Sequence, residues 1–455
     1  MLLGRVACAA VLGGVSGGGC CARSVSCCCC CWSVGAATRG RPWRRPVLQL
    51  TRRNLQPTMP TSQEVKQKIL GTPAVQQLKH IFQEDHHEFR LVGGAVRDIL
   101  LERWPKDYDF ATTALPQQTQ QLLESRGVRV VLTGLQHGTV TAVIDNVPYE
   151  VTTLRLDHEG AEGTGPVCFT DDWKLDAERR DLTINAMSMD LDGHIFDYFD
   201  GRDHLAQEKI VFVGDPAQRI QEDFLRILRY FRFHGKVCRH NNHEPAQIQA
   251  ITDNVQGLES VSGERIWMEM SKILKTARAP ELVECMQACG VLPHIQLANV
   301  EQHHLQRLRH VHRYELEPAT ALTALVDDVQ QFEGVAAAWR LSNAERKLGL
   351  FIIQHRDVDV CMNSAQDLLV DGINRTYVTQ LCRYQGHLDI AVAMQDWAVP
   401  EFPITGKKLI QHGLKPGPNM GRVLAALKDN WKQSRFQLGE EELLAQMDSV
   451  VASLS

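Results

Sequence analysis

Residues 89–112 read FRLVGGAVRDILLERWPKDYDFAT, and the fold follows from how this stretch is divided. Residues 89–92 suit a short apolar strand. Gly93 and Gly94 then turn the chain into an amphipathic helix that runs to Leu101. Two glycines at a strand–helix junction let backbone N–H groups approach an anion, and the start of a helix favours negative charge. A triphosphate suits that geometry, with Arg97 one turn into the helix. Alone, the pair of glycines is no more than a tight turn. Residues 108–111 give a second strand, and Asp107 and Asp109 stand at i and i+2, on one face of it. Two carboxylates beside a triphosphate cradle make the acidic half of a two-metal site. One Mg2+ there would acidify an attacking hydroxyl, and another would hold the triphosphate and the leaving pyrophosphate. An isolated Asp-x-Asp is usually a solvated loop edge. Its spacing from Gly93 and Gly94 favours the chemical reading.

Outward from this stretch the pattern stays α/β as far as Phe212. Residues 116–126 are predicted as a helix. Residues 128–132, 139–145 and 149–154 alternate or carry β-branched side chains, as strands do. Glu150, on the last of these, is placed where it could pass near the metals, although an exposed strand carboxylate explains it as well. Residues 157–172 are rich in Gly and acid with little apolar content, which predicts a mobile loop. Beyond Pro216 the strand signals fade and helical periodicity continues nearly to the end. A chain of 455 residues exceeds one small core. The expected division is a head over 65–212, a helical neck over 213–280, a helical body over 281–400 and a helical tail over 401–455.

The first sixty residues differ from the rest. The first acidic residue is Glu64, whereas arginine occurs at positions 5, 23, 39, 41, 44, 45, 52 and 53, among Ala, Gly, Ser, Val and Cys. An Arg-rich, acid-free leader of this kind behaves as a mitochondrial transit peptide, here expected over 1–58. The apolar part is short for a secretory signal. Met59 follows directly and could start a shorter cytosolic or nuclear form. No apolar run approaches the ~20 residues of a membrane helix. Six cysteines remain after the leader (Cys168, Cys238, Cys285, Cys289, Cys361, Cys382), without the paired spacing of a zinc site or disulfide framework. The net charge of −5 becomes about −13 without the eight leader arginines. So acidic a chain does not bind nucleic acid indiscriminately, and RNA contact requires a local basic surface.

Residues 91–101 followed by residues 107–112 resemble the first motif of the class II tRNA nucleotidyltransferases and their relatives, the bacterial poly(A) polymerases. Further motifs come in the family's order. Arg179-Arg180-Asp181 with Asn185-Ala186 resembles the ribose-contacting motif, and Asp200-Gly201 to Leu205 the hinge motif. Glu222-Asp223 to Arg226 resembles the nucleotide-selecting motif, and Ser262-Gly263-Glu264-Arg265-Ile266 the helix-supporting one. The likeness is strong over about residues 70–290. It implies a nucleotidyltransferase head of the polymerase-β type followed by all-α neck, body and tail domains. It also implies addition of CCA to the 3′ end of tRNA from CTP and ATP, with Mg2+ as cofactor and no nucleic-acid template. The partners implied are tRNA lacking its 3′ CCA, CTP and ATP, with no membrane, the protein acting as monomer or homodimer. By the same resemblance Gly93, Gly94 and Arg97 hold the triphosphate, and Arg180 and Asp181 the ribose. Asp223 and Arg226 read the base, and Arg229 and Arg232 lie on the nucleotide side of the cleft. A poly(A) polymerase, an enzyme adding only C or only A, and an inactive RNA-binding relative remain as alternatives.

The selecting motif has a physical reading. Asp223 and Arg226 are three apart on a predicted helix, hence neighbours on one face. A carboxylate only accepts hydrogen bonds and a guanidinium only donates them. Cytosine and adenine each place an amino donor beside a ring-nitrogen acceptor; uracil and guanine reverse the order. One Asp–Arg pair therefore admits C and A and leaves U and G with unmatched groups. Near the C-terminus, Lys407, Lys408, Lys415 and Arg422 surround a Gly/Pro turn ahead of a helix carrying Lys428, Trp431, Lys432 and Arg435. Such a turn suits phosphate contact and is the expected tRNA-binding patch. His303, His304, His310 and His312 lack an accompanying carboxylate pattern and are read as surface residues of a helix.

Overall fold

The structure, a computed structural model, describes residues 61–132, 134–156 and 167–454. The expected leader over 1–58 lies outside the described residues. Two helices open the described chain, α1 (Ser62–Leu70) and α2 (Pro73–Glu84). Thr61 and Glu64 close a capping box at the start of α1. β1 (Phe89–Val92) and α3 (Gly94–Leu100) follow, then β2 (Asp109–Thr112), α4 (Pro116–Ser125) and β3 (Arg129–Val131). β4 (Thr139–Ile144) and β5 (Val147–Thr153) form a hairpin. Its two-residue turn, Asp145-Asn146, has positive φ at both positions, the backbone that matches strand twist.

The sheet has seven strands in the order β3-β4-β5-β2-β1-β8-β9, where β8 is Ser188–Met189 and β9 is Ile195–Phe196. Only β2 and β5 run parallel, and their register sets Asp109 opposite Glu150. β1 lies inside the sheet and is buried on both faces. Its Arg90 tolerates burial because its guanidinium lies between the rings of Trp173 and Phe196, at 4.0 and 3.7 Å. Phe82, Phe89 and Phe110 stack in succession and join α2 to the sheet.

The predicted loop over 157–172 is corrected in its second half; residues 157–166 lie outside the described residues. Cys168 and Phe169 form a strand, β7, that pairs with β6 (Arg155–Leu156). Asp172 then caps α5 (Trp173–Glu178) through bonds from the backbone of Lys174 and Leu175. The hairpin and the cap supply backbone partners that composition does not reveal.

After α6 (Gly201–Ala206) the chain is helical. α7 (Pro216–Glu222), α8 (Arg226–Val237), α9 (Pro245–Asn254) and α10 (Gly263–Leu274) pack beside the sheet domain. α11 (Ala279–Ala288), α12 (Val291–His294) and α13 (Gln302–Val311) lead into a series of helices ending at Leu388–Asp396. One apolar core runs from Val65 to Met394. The segment from Ile404 to Val450 has a core of its own, built on Leu409, Leu427, Trp431 and Leu443. No helix among the described residues is long and apolar enough to cross a membrane.

Candidate active site

A cleft of about 1060 Å³ opens between the sheet domain and α8 and α10. It is lined by Gly93, Gly94, Arg97, Asp107, Asp109, Arg180, Asp181, Asp223, Arg226, Arg229 and Arg232, residues spread over 140 positions of sequence. Glu150 lines it as well, carried there by the β2–β5 register. Gly93 has a φ of +65°, and a β-carbon there would lie 2.9 Å from Arg180 Nη1. The backbone therefore favours glycine at this position, and a larger residue would also push the end of the Arg180 side chain aside.

Asp107 precedes β2 rather than belonging to it, so the strand begins at Asp109. The two carboxylates still share the cleft. Burial and the charge of Asp107 push the Asp109 carboxyl above its ordinary value, with Arg180 opposing. Among the described residues, neither carboxylate has a cationic side chain within ion-pair distance.

Behind the glycines lies a polar network. Arg97 is buried, with Nε 3.0 Å from Asp98 Oδ1 and Nη1 donating to Asn185 Oδ1. Asp98 also receives Lys236 Nζ from α8 at 3.0 Å, joining the sheet domain to the helices beyond. Asn185 donates to Asp181 Oδ1 at 3.1 Å, and its backbone carbonyl accepts from Arg180 Nη1 at 3.4 Å. Asp176 binds Arg179 at 2.7 Å and Arg180 at 3.0 Å. Asp181 is fully engaged, accepting from Leu182 N, Asn185 Nδ2 and Arg229 Nε. Burial works to raise its pKa, but the Arg229 charge and these bonds hold it below the usual carboxylate range.

The geometry expected of Asp223 and Arg226 is corrected. α7 stops at Glu222, Asp223 is extended (φ −157°, ψ 102°), and α8 starts at Arg226. The two residues flank a break between helices; the Arg226 N–H donates to the Asp223 carbonyl at 2.9 Å, but their side chains bind other partners. Asp223 Oδ1 accepts from Leu225 N at 3.2 Å, which turns the chain into α8, and Asp223 Oδ2 accepts from Arg265 Nη2 at 2.8 Å. Arg226 donates to Arg219 O at 2.8 Å and pairs with Glu222 at 2.5 Å. The i,i+3 rule presumes one continuous helix, and the side-chain bond of Asp223 to Leu225 N breaks it.

Lys236, Arg265, Lys272, Lys106 and Phe233 also line the cleft. Lys236 was legible as the continuation, at i+4, of the arginine spacing through Arg232. Arg265 stood in the motif that resembles the helix-supporting one, whereas Lys272, Lys106 and Phe233 carried no signal of their own. Eleven Lys and Arg side chains line the cleft against six Asp and Glu, so the local basic surface that the acidic chain needs lies here.

The C-terminal patch is divided. Lys407, Lys415 and Arg422 are exposed. Lys408 instead donates to Pro403 O at 2.8 Å and Glu440 Oε2 at 2.7 Å. Lys428 and Lys432 both bind Asp371 at 2.9 Å, fastening this segment to the preceding helices. None of these residues lines the cleft.

The histidine reading needs a correction too. His304 is fully buried, and His303 Nε2 and His304 Nε2 each lie 3.1 Å from Asp327 Oδ1. The three form the candidate metal-holding group among the described residues, with a carboxylate from 23 residues downstream of His304. Its chemistry argues against a metal. His304 Nδ1 accepts the Glu301 backbone N–H at 3.0 Å, which leaves the proton on Nε2, whereas a metal at Nε2 needs the opposite tautomer.

Comparison with known proteins agrees with this geometry. Residues 89–211 match the family model described as poly A polymerase head domain, and residues 244–299 match that of the probable RNA and SrmB-binding site of polymerase A. The mitochondrial CCA tRNA nucleotidyltransferase 1 of Mus musculus is 39% identical over 83% of this chain and 90% of its own length. That of Homo sapiens is 37% identical over 89% and 97%. The crystal structure of the Bacillus stearothermophilus CCA-adding enzyme in complex with CTP superposes with a TM-score of 0.70 at 26% identity, over 84% of this chain and 99% of that one. Because the likeness extends over nearly the full length of these relatives and includes the segments that build the cleft, this chain belongs to the CCA tRNA nucleotidyltransferase family.

Proposed function

We propose that this protein completes the 3′ end of tRNA by adding C, C and A from CTP and ATP, with pyrophosphate released at each step. The observation that carries the reading is that one cleft holds the acidic pair, the guanidinium array and the Asp223–Arg226 break together. The 3′-hydroxyl of the RNA attacks the α-phosphate of the bound nucleotide. Gly93, Gly94 and Arg97 hold the triphosphate together with Arg229 and Arg232. Arg180 faces the ribose, and Asp181 keeps Arg229 in place. Asp223 accepts from the amino group of C or A, while Arg226 donates to the neighbouring ring nitrogen, so no nucleic-acid template is needed. The neck, body and tail carry the tRNA.

Asp107 and Asp109, with Glu150 beside them, would hold Mg2+. The fit rests on the donor set, three carboxylates lining one cleft with Asp109 set opposite Glu150; burial and the Asp107 charge push the Asp109 carboxyl up, opposed by Arg180. Bound there, Mg2+ would lower the pKa of the attacking hydroxyl and neutralise charge on the leaving pyrophosphate.

Incubation with tRNA lacking its 3′ end, CTP and ATP should restore CCA. With CTP alone it should add C, which a poly(A) polymerase would not do. Asp107→Ala or Asp109→Ala should abolish incorporation and leave tRNA binding nearly intact. Normal turnover in either variant would remove the metal assignment.

The destination is mitochondrial. The acid-free, Arg-rich leader supports this, and so does the mitochondrial designation of the mouse, human and zebrafish relatives. A chain lacking residues 1–58 should keep its activity in solution and fail to enter isolated mitochondria. Import at the normal level would contradict the assignment.

A further inference from the structure

Phe233 sits on α8 and is 6% exposed, at the wall of the cleft. Three guanidiniums gather on its ring: Arg232 at 4.2 Å from the centroid, Arg97 at 4.8 Å and Arg229 at 5.6 Å. Arg97 comes from α3 of the sheet domain, and the other two come from α8. Each is tied outward to a different carboxylate, Arg97 to Asp98, Arg229 to Asp181 and Arg232 to Glu269. Three like charges within reach of one ring repel each other. Burial and the charges of Arg229 and Arg97 both lower the pKa of Arg232. The face of an aromatic ring carries partial negative charge and attracts cations at these distances. It accepts no conventional hydrogen bond, so it draws the guanidiniums together without occupying N–H groups that phosphate oxygens need. An aliphatic side chain would fill the space without that attraction.

We propose that Phe233 is a positioning residue for the triphosphate, a ring that converges Arg97, Arg229 and Arg232 from two domains into one anion cradle. The proposal rests on the nucleotide-binding role given above to the cleft. Phe233 acts on the phosphates through the three arginines and reads no base. Its effect is therefore the same for CTP and ATP.

The test is the kinetics of tRNA extension by the full chain carrying Phe233→Leu or Phe233→Tyr, with inorganic tripolyphosphate as a competitor. Phe233→Leu should raise KM for CTP and ATP by a common factor of about ten, with little change in kcat, and weaken tripolyphosphate inhibition by the same factor. Phe233→Tyr, which keeps the ring, should restore all three. A purely structural role would lower thermal stability and the active fraction and leave KM unmoved. Should Phe233→Leu fold poorly, phenylalanines of increasing fluorination at position 233 weaken the ring's negative face at nearly constant size. KM should then climb with each fluorine. Unchanged KM in Phe233→Leu or across the fluorinated series overturns the proposal, as does a change confined to one nucleotide. If the unmodified protein adds neither C nor A, the functional reading fails instead, and the two failures are thereby distinguished.

Discussion

Arg265, in the first turn of α10, donates through Nη2 to Asp223 Oδ2 at 2.8 Å. The carboxylate proposed to accept from the base is thus held from a second helix, while Arg226 is held separately by Glu222 and the carbonyl of Arg219. The two side chains proposed to read the base are oriented by separate supports.

This arrangement predicts graded losses of selectivity. Asp223→Ala and Arg226→Ala each remove one half of the edge complementarity. UTP or GTP should then be incorporated measurably, with selectivity reduced about tenfold, given that a bidentate base contact contributes roughly 1–3 kcal/mol. Arg265→Ala leaves the reading atoms present but unanchored and should give a smaller loss in the same direction. Relative kcat/KM for all four nucleotides measures each effect. Unchanged selectivity in folded Asp223→Ala and Arg226→Ala would remove base reading from this break.

The tail should separate binding from stability. Lys407→Ala, Lys415→Ala and Arg422→Ala alter exposed cations, and each should weaken tRNA binding and lower the salt slope by about 1 without moving the nucleotide KM. Lys408→Ala should behave differently, because that ammonium is committed to Glu440 and Pro403. Its loss should lower the melting temperature slightly, in keeping with ~0–1 kcal/mol for a partly exposed pair. Salt-dependent tRNA binding and thermal melts distinguish the two groups. Equal binding losses in all four would show that Lys408 also reaches the RNA.

Acid should unfold the neck through two stacked histidines. Burial lowers the pKa of His234 to about 3 and that of His243 to about 4, while in the unfolded chain both titrate near 6.5. Their rings lie 3.8 Å apart beside Tyr230. Below pH 6.5 the unfolded chain takes up protons that the folded one refuses. Stability is therefore full above pH 6.5 and is lost as pH falls toward 4 and then 3. Melting temperature against pH should slope upward across this window, and His243→Gln should flatten it. A slope unaltered by that change would assign the acid sensitivity to other groups.

Much of this site was legible because its chemistry sits in short, contiguous segments. The strand–Gly-Gly–helix turn and the acidic pair are each local, and the alternation of apolar residues put the strands within a few positions of where they lie. Glu150 was placed on a strand without a partner, and only the parallel register of β2 and β5 set it opposite Asp109. Spacing alone made Asp223 and Arg226 helical neighbours; the structure ends one helix and starts another between them.

The sequence by itself determined the mixed head, the helical remainder, the acidic pair and the strand–Gly-Gly–helix turn, because backbone preference and side-chain periodicity act over a few residues. Only the tertiary structure decided which charges answer which. Arg229 is committed to Asp181 from 48 positions away, Arg265 to Asp223 from 42, and Lys236 to Asp98 from 138. It likewise spent Lys408, Lys428 and Lys432 on internal carboxylates and left Lys415 and Arg422 exposed. Ion pairing depends on distance in space and on burial, and neither is encoded in local spacing. That is why a chain of net negative charge can hold a basic cleft that no single stretch of its sequence announces.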